Sequence, residues 1–244
     1  SNGTLNNLSY SATFVRNSAG PSLIFPTYGS EFTLGIKATF PYSLVNNKDY
    51  SIPDGLSDAD TSAAIAEKYK WLEYYKITAK GKWYTSFTDK LVLMTNAEMG
   101  YLGFYNSELG QNPFERYFVG GDGTAQFQLD GRETVGLRGY ENNRLSSAEG
   151  GTIFNKFQME LRFSITDSPS ASIYTLGFLE AGNSYDNFET FNPFELKRSA
   201  GLGVRIFMPA FGLLGIDFAH GFDPLPGLRE KSGWQTHFII GRQF

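Results

Sequence analysis

Between residues 31 and 42 apolar and polar side chains alternate without a break. Phe32, Leu34, Ile36, Ala38, Phe40 and Tyr42 share one parity, and Glu31, Thr33, Lys37 and Thr39 take the other. That is the period of an extended strand with one apolar and one polar face. The same period recurs along the chain. Upstream, Leu8, Tyr10, Ala12 and Phe14 alternate with Ser9, Ser11 and Thr13. Downstream, Trp71, Tyr75, Ile77, Ala79 and Trp83 oppose Lys70, Lys76, Thr78, Lys80 and Lys82, and Leu91, Leu93, Ala97, Met99 and Tyr101 oppose Asn96 and Glu98. Ile153, Phe157, Met159, Leu161 and Phe163 then oppose Lys156, Gln158, Glu160 and Arg162, a polar row suited to a water-filled interior. Residues 172–185 are apolar on both parities, so alternation cannot orient them. Leu202, Val204, Ile206 and Met208 make a further face, followed by Leu214, Ile216 and Phe218, and the chain closes on Trp234, Phe238, Ile240 and Phe244. Nine strands are expected in all.

The links between these strands are unequal. Short ones fall near Ser86, Asp167 and Ala210, and long ones cover 43–68, 107–151, 186–196 and 222–233, the first with a short helix expected over 58–69. Residues 18–29, with two prolines and two glycines, read as a turn segment. Short turns at one end and long loops at the other are the habit of membrane barrels. Composition favours the same reading, because the chain is 16% aromatic with 22 Phe, 14 Tyr and 27 Gly, and its mean hydropathy is only −0.28. No apolar run approaches the ~18 residues of a spanning helix. A soluble β-sandwich would alternate too, but the aromatic clusters at strand ends (Trp71, Tyr74, Tyr75, Trp83, Tyr84) suit interfacial girdles. The expected fold is therefore all-β, an antiparallel transmembrane β-barrel. An odd strand count with a periplasmic C-terminus puts the N-terminus outside, and free-standing bacterial barrels have even counts. The expectation is a missing N-terminal portion, in keeping with a start at Ser1-Asn2-Gly3 that has neither Met nor signal peptide.

Several kinds of chemistry find no support. The net charge of −4 does not advertise nucleic-acid binding, and the absence of cysteine excludes disulfides, thiolate metal sites and Cys nucleophiles. His220 and His237 are too far apart to suggest a ligand pair, and His220 falls on the lipid-side parity. Asp122 and Asp130 do not fit an EF-type calcium loop. Neither a nucleophile–base pair nor a phosphate loop is present, and Glu98, Glu160 and Glu180 are more simply lumenal charge than an acid pair. Lys70, Lys76, Lys80 and Lys82 suit a solvated lumen face better than an anionic path. The expectation is a non-enzymatic protein with no cofactor and no metal.

The longest interruption of the strand pattern is 112–143, NPFERYFVGGDGTAQFQLDGRETVGLRGYENN. Its position between alternating runs suggests a loop that folds back into the lumen. At this point the chain resembles a known family. The turn Phe25-Pro26-Thr27-Tyr28-Gly29-Ser30, the segment Phe114-Glu115-Arg116-Tyr117-Phe118-Val119-Gly120-Gly121, the run Gly136-Leu137-Arg138-Gly139-Tyr140, the run Phe178-Leu179-Glu180-Ala181-Gly182 and the terminus Phe238-Ile239-Ile240-Gly241-Arg242-Gln243-Phe244 resemble, in order, five motifs of the Omp85 outer-membrane proteins. They are most similar to the BamA-type barrel assembly factors of the Bacteroidetes group, as is the inserted segment 123–132. Each motif alone is weak; five in family order are strong.

The resemblance implies the last nine of sixteen barrel strands, with seven strands and the periplasmic POTRA modules absent. It implies folding and insertion of other β-barrels into the bacterial outer membrane without ATP, through a seam between first and last strands. The partners implied are nascent barrel clients, accessory assembly lipoproteins and outer-membrane lipids. Alternatives on the same fold are a secretion or translocation pore and a barrel anchor for a separate domain, to be told apart by the sequence upstream. In the family the Arg of the loop-tip motif, here Arg138, reaches the acid of the strand motif. That acid is Glu180, a Glu in place of the usual Asp, between Phe178 and Gly182. Gly136 and Gly139 would serve the turn, since Gly tolerates positive φ, with Leu137 beside them and Tyr140 packed on the wall. In the terminal β-signal, Phe238, Ile240 and Phe244 share a lipid-facing parity with Arg242. Gly241, read as interior to that strand, would weaken pairing or mark a kink, as a seam that opens requires.

Overall fold

The computed structural model describes residues 5–46, 50–52, 57–123, 132–168 and 170–241. In chain order the elements are β1 (Ser9–Asn17), β2 (Gly20–Pro21), β3 (Pro26–Thr39), α1 (Tyr42–Val45), α2 (Asp58–Lys68), β4 (Tyr75–Thr88), β5 (Leu91–Gly103), β6 (Tyr117–Val119), β7 (Glu133–Val135), β8 (Ile153–Ser168), β9 (Ala171–Tyr185), β10 (Lys197–Met208), β11 (Gly212–Pro224) and β12 (Lys231–Gly241). The nine long strands form one antiparallel meander, β1-β3-β4-β5-β8-β9-β10-β11-β12, with β2 as a short annex on β3. The short pair β6–β7 is parallel and belongs to the long loop. The sheet is open: β1 and β12 are its two edges and do not pair with each other.

One face of the sheet is apolar and exposed. Phe157, Met159, Leu161 and Phe163 on β8, and Phe238 and Ile240 on β12, leave between 42% and 66% of their surface uncovered. In water such a wall would be a large sticky patch; against lipid tails it is what a barrel presents. The opposite face is buried. On β9 the burial alternates through Ser172, Tyr174, Leu176, Phe178 and Glu180, so that strand is now oriented. Its inner parity is itself apolar over the lower half, because it packs on Phe25, Tyr84, Val92 and Met94.

The interior is partly packed: the Lys156–Arg162 row faces a cavity of about 500 Å³ that Lys80, Glu98 and Arg205 also line, while two members of the row are themselves buried. Glu160 is 3% exposed and Lys156 9%, because side chains from the long loop and neighbouring strands cover them. Two apolar clusters occupy the inner face, one around Leu72, Tyr74, Tyr117, Leu137 and Tyr140 and one around Phe25 and Tyr174. Their ring centroids in the second cluster lie 5.4 Å apart.

Element boundaries differ from expectation where tertiary contacts override the alternation. The strand expected from Trp71 begins at Tyr75. Leu72, Glu73 and Tyr74 are all buried, with Glu73 accepting bonds from the Ser43 amide at 2.6 Å and the Ser43 hydroxyl at 2.7 Å. Strand β3 starts at Pro26, inside the expected turn. Helix α2 covers Asp58–Lys68, within one residue of expectation, and is capped at Ser57, whose side chain accepts from the Asp60 amide.

Candidate functional site

After β5 the chain folds inward and is fastened in steps. Tyr117 and Gly151 exchange both backbone hydrogen bonds at 2.8 Å, the Gly120 amide donates to Val135 O at 2.9 Å, and the Gly121 amide to Leu137 O at 3.1 Å. These bonds deliver Gly136–Tyr140 to the inner wall. The two glycines of this tip have different reasons. Gly139 sits at φ +86°, and a Cβ there would lie 2.8 Å from Ser199 Cβ and 3.0 Å from Gly221 N. Only Gly satisfies both the conformation and the approach. Gly136 is absent from the positive-φ residues; it is small because the Asp122–Gly123 backbone passes 3.0 Å from where its Cβ would stand. The expected turn role of Gly136 is thus replaced by close backbone packing.

Arg138 is 6% exposed and its polar atoms face acids. Nε and Nη2 both donate to Glu180 Oε1, at 2.9 and 2.7 Å, while the Arg138 amide donates to Glu180 Oε2 at 2.7 Å. Nη2 also reaches Glu160 Oε1 at 2.7 Å, and Nη1 reaches Asp217 Oδ2 at 3.0 Å. The guanidinium lies over the Phe178 ring, 3.5 Å from its centroid. Burial opposes the Arg138 charge, the Glu180, Glu160 and Asp217 carboxylates outweigh that, and its pKa moves above the ordinary guanidinium value. The acids are shared with other cations. Arg205 holds Asp217 in a two-point contact at 2.6 and 2.8 Å, Arg162 holds Glu160 at 2.6 Å, and Lys156 stands 3.8 Å from Glu180. Buried charges this dense persist only when each is paired and hydrogen-bonded.

The rest of the tip makes equally specific contacts. Leu137 is fully buried and rests against Gly182, where a Cβ would lie 3.2 Å from Leu137 Cδ1 and 2.6 Å from Asn155 O. Phe178, Glu180 and Gly182 thus present to the tip, from one parity of β9, a ring, a carboxylate and a gap. The Gly139 amide donates to His237 Nε2 at 2.9 Å. Tyr140, fully buried, donates its hydroxyl to Arg198 O at 2.6 Å. Three consecutive residues therefore touch β8, β9 and β11 (Arg138), β12 (Gly139) and β10 (Tyr140).

Asp217, Arg205 and His237 belong to this site and were not singled out for it from the sequence. The parity of Phe238 and Ile240 already placed His237 inward, and Asp217 is a lone acid between the outward-facing Ile216 and Phe218. Those were the available signals. The four lysines do not form a cationic path: Lys76 pairs with Glu133, Lys80 with Glu98 at 3.0 Å, Lys82 with Glu31 at 3.2 Å and Lys70 with Glu67 at 3.6 Å. His220 packs its ring on Phe222 and Trp234. Gly241 is the last described residue of β12, paired with Leu213, and a Cβ on it would meet nothing within 4 Å. Whether it is interior to the terminal strand, as expected, lies outside the described residues. Arg242, Phe244 and Asp130 lie outside the described residues.

The architecture has a solved counterpart. The crystal structure of BamA from Haemophilus ducreyi lacking POTRA domains 1–3 superposes with a TM-score of 0.64 at 17% sequence identity, covering 95% of this chain and 41% of that one. The chain thus spans less than half the length of that structure, and the likeness is one of fold. No curated protein matches the sequence. The sequence profile of the Omp85 superfamily domain, however, matches residues 1–244, and the chain belongs to the Omp85 superfamily.

Proposed function

We propose that this chain is the C-terminal part of a bacterial outer-membrane barrel that folds and inserts other β-barrels, of the BamA type and without ATP. The observation that carries the reading is the loop tip of an Omp85-superfamily chain seated through Arg138 and Gly139 on the inner wall of the terminal strands. Strands β8 to β12 are held from inside by the loop tip. Unpaired backbone groups in hydrocarbon cost several kcal/mol each, so a barrel seam that opens at the terminal strand favours any strand that comes to satisfy it. The partners of this reading are unfolded barrel clients, accessory subunits and outer-membrane lipid, and it requires no catalytic chemistry. A pore that secretes protein through the lumen is less well supported, because the tip sets a buried ion-pair cluster against the inner wall that traffic would have to pass.

The reading is tested by reconstituting the complete gene product in lipid vesicles without nucleotide and following a urea-denatured client barrel by its folded-band shift on gels. Accelerated client folding is the expected result. Secretion of a soluble passenger with no effect on client barrels would replace this reading with the pore.

A further inference from the structure

His237 is the one buried residue among the described side chains of β12; it is 5% exposed, while Trp234, Phe238 and Ile240 stand outward at 74%, 60% and 66%. Its cross-strand partner in the register is Asp217, which is fully buried and holds Arg138. Consecutive residues of the loop tip therefore grip the two members of one cross-strand pair: Arg138 takes Asp217 on β11, and the Gly139 amide takes His237 on β12. We infer that His237 is a positioning residue that couples the pairing state of the terminal strand to the seating of the loop tip.

The coupling follows from the lack of alternatives on either side. Gly139 is fixed at positive φ and boxed by Ser199 and the Gly221 backbone, so its N–H cannot swing to another acceptor. If β12 leaves β11, that buried N–H loses its partner, and a buried donor without one is strongly disfavoured. If the tip leaves, β12 loses the hydrogen bond at its one buried described residue and keeps its ladder to β11 and the Trp234–His220 ring contact. The imidazole must be neutral at Nε2 to accept, which puts the ring proton on Nδ1. Glu180 and Arg138 hold the tip to the wall as a whole; His237 is what reports whether the last strand is in place.

The use of this coupling to control an opening edge rests on the assembly reading above, and the experiment separates the two. In the complete gene product in nanodiscs, amide hydrogen exchange is measured strand by strand for the parent, His237→Leu and His237→Gln. Leu keeps bulk without an acceptor; Gln restores an acceptor oxygen. The expected result is exchange across 235–239 faster by roughly five- to tenfold in His237→Leu, the factor one buried hydrogen bond commands, with β8 and β9 unchanged and near-parental exchange in His237→Gln. Unchanged exchange in β12, an equal rise in all strands, or a Gln variant no better than Leu would each overturn the coupling. Faster β12 exchange with client folding at the parental rate counts against the assembly reading and leaves the coupling intact.

Discussion

At the scale of single residues, the site is an exercise in the balance of buried charge. Four cations (Arg138, Arg162, Arg205, Lys156) surround three acids (Glu160, Glu180, Asp217), so removing one member strands the others. Arg138→Ala is expected to destabilise the folded barrel by ~3–5 kcal/mol, the usual result of breaking a buried pair from one side, and to lower client levels in cells. Urea unfolding followed by tryptophan fluorescence checks the first and outer-membrane protein abundance the second; parental client levels would remove the functional role. Arg138→Lys should recover little, because an ammonium cannot meet Glu160, Glu180 and Asp217 together as a planar guanidinium does. Gly139→Ala tests geometry without charge. It forces a Cβ at φ +86° against Ser199, and a loss of about 1–3 kcal/mol in the same unfolding measurement is expected; an unchanged midpoint would mean the tip is not seated as described.

At the scale of elements, what was legible depended on how local the cause was. Most of the nine long strands could be read because their signal, alternation, lies within each segment. The start of β4 could not be placed, since Leu72, Glu73 and Tyr74 answer to Ser43 and the long loop rather than to their neighbours. Strand β9 hid its orientation because its inner parity is apolar over the floor and acidic only at Glu180. The contact from Arg138 to Glu180 was legible through the family resemblance. The contacts to Asp217 and His237 join residues 79 and 98 positions apart, and no spacing rule in a single sequence reveals such a pairing. The turn segment illustrates the same limit. Phe25 looked like turn furniture, yet it is 3% exposed and packs across the inner face on Tyr174. Phe25→Ala is therefore expected to cost ~3–5 kcal/mol, as a buried ring does. A change within about 0.5 kcal/mol, typical of a surface turn, would contradict the packed floor.

At the scale of the whole molecule, the described strands of this chain form a sheet that does not close on itself. Eight antiparallel steps separate β1 from β12, so the two edge strands run in the same direction. Closing this chain alone would require a parallel seam, which is slightly weaker per residue than the antiparallel pairing used everywhere else in the sheet. Strand β1 also offers little to such a seam: eight of its nine residues are exposed and its inner side is uncovered. The 244-residue chain by itself in micelles should thus keep both edges apart, available to strands that are not in it. Because the sequence contains no cysteine, a Ser11→Cys/Gln235→Cys pair gives a clean readout under mild oxidation. No intramolecular disulfide is expected in the isolated chain. Efficient intramolecular cross-linking would show a self-closed nine-strand barrel and overturn the open sheet of this chain.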